Sequence, residues 1–241
     1  MDKSVREFSD WASLNECIET CRICTRLVEW RELVSRQKRR AYLDENYWGK
    51  GVPGFGDLQA RVLVVGLAPG AHGSNRTGRM FTGDASGDFL FPALHQAGFA
   101  TQPNAESRED TLELIDLFIS AICRCAPPDN KPKPDEIRNC LGYLHNEISL
   151  LSKLQGVVCL GKLSFDQIVR HYVLEQSARK KYVFKHLAFY PAGDLPFWLL
   201  SSYHPSRQNT QTGRLTKEMF AAVWETVCHQ LEEKSDFREI N

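Results

Sequence analysis

Arg61-Val62-Leu63-Val64-Val65-Gly66-Leu67-Ala68-Pro69-Gly70-Ala71-His72-Gly73 is the stretch on which the fold turns. Its first five residues are almost wholly apolar and mostly β-branched. An apolar run without alternation reads as a strand buried on both faces, as in a parallel sheet. The run empties into a glycine- and proline-rich loop that continues as Ser74-Asn75-Arg76-Thr77-Gly78-Arg79-Met80-Phe81-Thr82-Gly83-Asp84. The same grammar returns late in the chain, where the short apolar run 197–200 leads into Ser201-Ser202-Tyr203-His204-Pro205-Ser206. Open α/β sheets place ligands beyond the carboxyl ends of their strands. The two loops are therefore expected to face each other across a narrow polar slot. No GxGxxG follows the first strand and no GK[ST] occurs, which argues against dinucleotide and P-loop nucleotide binding.

Outward from this stretch, strands and helices alternate. A helix is predicted over 86–97 and a second strand over 117–123. The proline-rich segment Ala126-Pro127-Pro128-Asp129-Asn130-Lys131-Pro132-Lys133-Pro134 follows and must run extended, since proline cannot pair in a ladder. Pro134 and Asp135 are start signals for a helix over 135–153. A strand over 157–160, a helix ending near His171, an extended segment over 181–190 and a closing helix over 215–232 complete the pattern. Residues 5–40 read as helical, with Trp11, Leu14, Ile18 and Val28 apolar among many charges. They end in Arg36-Gln37-Lys38-Arg39-Arg40, a solvated face or one that meets phosphates. Residues 44–60 contain five glycines or prolines and read as an irregular connector. The fold class that follows is α/β, a parallel sheet covered on both faces. At 241 residues the chain is read as a single domain with an N-terminal helical appendage.

Composition narrows the function. Thirty basic and thirty acidic residues cancel, so no overall positive field drives phosphate binding. A local patch remains open: Arg76, Arg79, Lys131, Lys133, Arg207, Arg214 and Lys217 lie beside the loops, against the plainer reading that they are solvated charges. No apolar run approaches the ~20 residues of a membrane helix. The polar start, Met1 to Asp10, is unlike a secretory leader, and a cytoplasmic protein is expected. Eight cysteines are many for a reducing compartment, where a metal or cluster site explains them better than disulfides. Cys21 and Cys24 form a CxxC pair, and Cys125 and Cys140 flank the proline-rich segment and the start of its helix. Four thiolates suit zinc or an iron–sulfur cluster, and the wide second pair leans toward the cluster. Spacing does not say which four bind. Cys17 lies one helical turn before Cys21, Cys123 shares a strand face with Cys125, and Cys159 and Cys228 read as inert apolar residues.

The stretches GLAPGAHGSNRTGRMFTGDASGDFL, CAPPDNKPKPDEIRNC and SSYHPSRQNTQTG resemble the type-5 uracil-DNA glycosylases of prokaryotes, which adjoin the iron–sulfur type-4 members of the same superfamily. The resemblance runs from about Cys21 to the last helix. It implies a three-layer α/β/α sandwich around a four-stranded parallel sheet. It also implies a 4Fe–4S cluster on Cys21, Cys24, Cys125 and Cys140, and excision of uracil and other deaminated bases such as hypoxanthine from DNA by a monomeric enzyme. Such an enzyme must flip its nucleotide into a tight pocket. Gly66, Ala68, Gly70 and Gly73 would let backbone approach that nucleotide. Phe81 offers a stacking face, or else is a core residue. Ser206, Arg207 and Gln208 would enter the groove or touch phosphates.

Breaking an N-glycosidic bond puts negative charge on the departing base and positive charge on the sugar. His204 is the candidate donor to the leaving base. The loop after the first strand lacks the acidic or polar side chain of better-known uracil glycosylases. Asp84 is the first candidate to position water, against an N-cap reading. Asn130 is the second, against a turn reading, and Asn75 and His72 are weaker. Ser120-Ala121-Ile122 stands where other families carry a uracil-discriminating asparagine, so a roomy pocket is expected. Two rivals are a non-catalytic iron–sulfur redox protein and a zinc-stabilised DNA-binding module.

Overall fold

A computed structural model describes residues 7–236. Six strands form one sheet: β1 (Phe55–Gly56), β2 (Val62–Gly66), β3 (Leu117–Ala121), β4 (Gly156–Leu160), β5 (Ala188–Tyr190) and β6 (Trp198–Ser202), in the order β1-β3-β2-β4-β6-β5. The four central strands are parallel, with Val64 opposite Ile119 on one side and Val158 on the other. This is the four-stranded parallel centre expected from the sequence. The two edge strands are short and antiparallel, and the connector and the 181–190 segment supply them. Gly56 explains the first: its φ is +134°, and a Cβ there would lie 2.4 Å from the Leu117 carbonyl oxygen, so only glycine lets this edge close.

The helices are α1 (Trp11–Thr20), α2 (Thr25–Gln37), α3 (Ser74–Thr77), α4 (Gly87–Gln96), α5 (Pro134–Leu150), α6 (Lys162–Tyr172), α7 (Arg207–Gln211) and α8 (Lys217–Asp236). Side-chain alternation along β2 makes the layers. Val62 and Val64 pack with Leu90 and Leu94 of α4 and with Phe220 and Trp224 of α8. Leu63 and Val65 turn the other way, onto Ile137 and Leu144 of α5 and Phe165 and Ile168 of α6. Each such side chain contributes about 1.5–3 kcal/mol on burial. The predicted N-terminal helical stretch is two helices, broken at Cys21–Cys24. Asp10 Oδ1 caps α1 by accepting the Ser13 N–H at 2.8 Å. Leu14 and Ile18 of α1 then pack against Tyr143 of α5. Among the described residues no helix is long and apolar enough to cross a membrane.

From β2 the chain crosses first to β3 on one side and later to β4 on the other. The carboxyl end of β2 is thus a switch point, where such sheets open a crevice. The loops after β2 and β6 leave the sheet at this end.

Candidate active site

A cleft of about 720 Å³ opens at the switch point. Gly66, Ala68, Gly70, Phe81, Asp84, Asn130, His204, Ser206, Arg207 and Gln208 all line it. The structure thus brings together the ten residues that the sequence nominated for chemistry and base contact.

His204 leaves β6 on a loop clamped from its carboxyl side. Its carbonyl accepts the Asn209 side-chain amide and the Ser206 N–H, each at 2.8 Å. Its ring stacks on Phe81, centroids 5.8 Å apart and planes 28° from parallel. Burial pushes the imidazole pKa down to about 4, because charging the ring there forfeits hydration that no carboxylate replaces. His204 is therefore a neutral donor at neutral pH. The opposite wall is held by Phe81, whose backbone sits at φ 54°, a conformation costly for a non-glycine residue. Its N–H donates to Ser74 Oγ at 3.0 Å. A Cβ on Gly87 would lie 1.8 Å from the Phe81 carbonyl oxygen, and one on Gly66 2.9 Å from its ring. Phe81 belongs to the core and also lines the cleft.

Asp84 likewise divides its two oxygens. Oδ1 accepts the N–H groups of Ser86 (2.9 Å) and Gly87 (3.2 Å) and so caps α4. Oδ2 presses against the glycine loop, where a Cβ on Gly73 would lie 2.0 Å away and one on Gly70 2.9 Å away. Burial raises the carboxyl pKa, and the two backbone donors oppose that. Asn130 has left-handed backbone, φ 56°, and is exposed at the cleft rim, a turn residue whose side chain borders the pocket. Ser206 caps α7 by accepting the Asn209 N–H at 3.4 Å, which leaves Arg207 and Gln208 exposed on the first turn. On β3, Ala121 lines the cleft and Ser120 turns away to donate to Glu147 Oε2 at 2.5 Å.

Three sequence expectations change. Arg76 and Arg79 are buried, not part of a surface patch. Arg76 pairs with Glu45 and donates to the His72 and Gly83 carbonyls, and Arg79 grips Asp110 with two bonds of 2.7 and 2.6 Å. Both guanidinium groups serve as internal splints for the loop, Arg76 by supplying donors to its carbonyls and Arg79 by tying it to Asp110 and Thr82 Oγ1. Lys131, Lys133, Arg207, Arg214 and Lys217 do remain exposed. Asn75 is fully buried, its amide donating to the carbonyls of Arg31 (3.3 Å) and Ala71 (3.4 Å). Cys228 is only partly buried, packed at the edge of the core beside the Ala97 carbonyl. Arg39, from the basic run read as solvated or phosphate-facing, lines the cleft after α2 together with Tyr42, which sequence reasoning missed. The basic run ending in Arg39-Arg40 was the available signal. His72 does line the cleft, its Nδ1 3.0 Å from the Tyr47 hydroxyl.

A second constellation joins the break between α1 and α2 to the proline-rich segment. Cys24 senses the charge of Cys140 and Cys21, and Cys125 that of Cys140 and Cys21, so these four thiols share one locality. Cys123 lies in the same locality, adjoining Cys140 and close enough to sense Cys125 and Cys24. Arg31 is buried and donates to Cys125 Sγ and to the Cys21 carbonyl, each at 2.8 Å. Burial pushes the Cys125 thiol up to about 12, against the opposing pull of Arg31. Arg26 braces the same region, donating twice to Glu136 at 2.8 Å and once to the Lys131 carbonyl at 3.1 Å. Among the described residues no three His, Cys, Asp or Glu side chains gather around a single-ion site.

Residues 53–228 match the family model described as the uracil DNA glycosylase superfamily. The chain belongs to that superfamily. Within it the chain is 51% identical over 210 residues to a type-5 uracil-DNA glycosylase of Thermus thermophilus, covering 86% of this chain and 92% of the relative. It is 47% identical over 214 residues to the type-5 enzyme of Mycobacterium leprae (88% and 91% covered) and 43% identical over 203 residues to that of Pyrobaculum aerophilum (84% and 85%). A type-4 uracil-DNA glycosylase of Pyrobaculum aerophilum is 34% identical over 119 residues, only 49% of this chain. The chain therefore falls with the type-5 members, as its loops implied.

Proposed function

We propose that this chain is a monofunctional uracil-DNA glycosylase that hydrolyses the N-glycosidic bond of uracil, and of other deaminated bases such as hypoxanthine, leaving an abasic site. The observation that carries the reading is a neutral imidazole, His204, stacked on Phe81 and set against a glycine-lined backbone in one cleft. A flipped base slides against Phe81 with its carbonyl oxygen toward His204. As the bond breaks, its electron pair leaves with the base, and His204 donates a hydrogen bond to the growing anion. A neutral donor keeps its own proton through the step and acts only where charge develops. Asp84 steadies the sugar's positive charge and orients the water that adds at C1′, the proton that water loses ends on the departed base anion, and Asn130 contacts the water or the base from the rim. Ala68, Gly70 and Ala121 present no bulk against the base edge, which supports admission of purines. Gln208 and Arg207 fill the gap left by the flipped base or hold neighbouring phosphates, and the exposed lysines 131 and 133 add to that field.

We further propose that Cys21, Cys24, Cys125 and Cys140 hold a 4Fe–4S cluster. Four thiols in one locality, with Cys125 hydrogen-bonded to the Arg31 guanidinium, form a donor set whose thiolates would suit a positively charged iron core. When bound, it would staple the N-terminal helices to the segment bearing Asn130 within a single domain. The protein is read as a cytoplasmic monomer acting on DNA. The rival readings, a redox protein or a zinc-stabilised DNA binder, explain the cysteines but leave the His204 cleft without a task.

The test is incubation with single- and double-stranded DNA carrying uracil, hypoxanthine, xanthine or thymine, followed by alkaline cleavage at abasic sites. Uracil-dependent cleavage that His204→Ala removes is the expected result. Intact uracil DNA with iron-loaded protein would refute the reading.

A further inference from the structure

The His204 ring has to be aimed by its backbone, and Asn209 and Ser206 clamp that backbone only on its carboxyl side. On the amino side stands His186, a residue that nothing in the motifs singles out. The Tyr203 N–H donates to His186 Nδ1 at 3.3 Å. Ser202 Oγ lies 3.4 Å from the same nitrogen but spends its proton on the Tyr203 carbonyl at 2.9 Å. On the other side of the ring, Nε2 lies 3.2 Å from the Met219 carbonyl at the start of α8. A carbonyl can only accept, so Nε2 carries the proton and Nδ1 is bare, and this bonding pattern assigns one neutral tautomer. The ring also stacks on Tyr203, centroids 5.1 Å apart and planes 25° from parallel. The residue before His204 is thus held at its N–H by one imidazole, itself anchored to α8, and that imidazole shares the Tyr203 ring with Arg214 (4.8 Å to the ring centroid) and Phe184 (centroids 6.1 Å apart).

We propose that His186 is a positioning residue for the reaction: it locks Tyr203 so that the His204 ring faces Phe81 and the base. The proposal rests on the glycosylase reading for its kinetic test, though not for its structural one. A second proton on Nδ1 would evict the Tyr203 N–H, so only the neutral ring can perform this task. Two substitutions separate bonding from packing. His186→Phe keeps an aromatic ring against Tyr203 but removes both hydrogen bonds. His186→Gln loses the ring but retains an amide oxygen for the Tyr203 N–H and an amide N–H for the Met219 carbonyl.

In single-turnover excision of uracil, His186→Phe should slow the chemical step about 10- to 100-fold, the loss expected from a misplacement of about 1 Å. Affinity for uracil DNA should change less than about twofold, because the contacts to DNA are untouched. His186→Gln should recover most of the rate. The structural test follows the His204 imidazole by NMR titration. In the parent protein it should titrate near 4. In His186→Phe the midpoint should move toward the ordinary histidine value as the loosened loop admits water. A His186→Phe protein with parental rate and parental His204 titration overturns the proposal. So does a folded His186→Gln protein about tenfold or more slower than its parent, a comparison that stands even where the phenylalanine variant fails to fold. If the parent protein leaves uracil DNA intact, the glycosylase reading fails, and the titration alone decides the role of His186.

Discussion

Gly73→Ala is the sharpest probe of the cleft. A Cβ at position 73 would sit 2.0 Å from Asp84 Oδ2, 2.6 Å from its Cγ and 2.8 Å from its Cβ, where ordinary contact begins near 3.4 Å. The carboxylate oxygen must therefore retreat by about 1.4 Å, the difference between 3.4 and 2.0. It cannot do so freely, because Oδ1 is held by the Ser86 and Gly87 N–H groups. Losing that cap costs about 1 kcal/mol. If Asp84 orients water as proposed, a displacement of this size should slow excision by about 100-fold. Asp84→Ala removes the two closest overlaps and leaves only the 2.8 Å contact, so in the double variant the stability penalties should be less than additive by about 1 kcal/mol, while excision stays slow. Urea denaturation gives the stability cycle, and single-turnover cleavage of uracil DNA gives the rates. A Gly73→Ala protein as stable and as fast as its parent would refute the packing of Asp84 against this loop. A fast double variant would remove Asp84 from the chemistry.

Other perturbations test other parts. His204→Ala should lower single-turnover excision by about 100- to 1000-fold, the loss typical of a donor to a developing oxyanion; a smaller effect than tenfold would speak against that role. The folded-state pKa of His204, about 4, lies below the ordinary value of 6.5, so the unfolded chain binds the proton more readily. This contribution to stability is complete above pH 6.5 and is lost as pH falls toward 4. Urea midpoints of the parent should drop across that window more than those of His204→Gln, and parallel curves would contradict the burial. Glu147→Ala strands the buried Arg124 guanidinium, which now donates to Glu147 Oε2 at 2.6 Å, and should cost about 3–5 kcal/mol in calorimetry. Cys125→Ser should reduce soluble yield and bound iron more than it changes the chemical rate of the surviving protein. Undiminished iron content and visible absorption would show that Cys125 is not a ligand.

Much of this protein was legible in one dimension. The runs at 61–65, 117–123, 157–160 and 197–200 are mainly apolar without alternation, and only a central parallel strand buries both faces, so the order of strands and helices followed from the pattern along the chain. The glycine loop after β2 and the His-Pro-Ser loop after β6 had to meet, because all parallel strands of one sheet end on the same side. What the linear pattern could not carry was partnership. Arg76 and Arg79 look like surface cations until Glu45 and Asp110, brought close by the folding of other loops, enclose them. Asp84 reads as either a cap or a catalytic group, and only three dimensions let its two oxygens do different work. His186 carries no motif, and its role exists solely because the segment before β5 lies beside the end of β6 and the start of α8. Local sequence encodes backbone conformation and the balance of apolar and polar faces, which act over a few residues. The pairing of charges and the aiming of a ring are set by atoms far apart in the chain, and packing alone decides which of them touch.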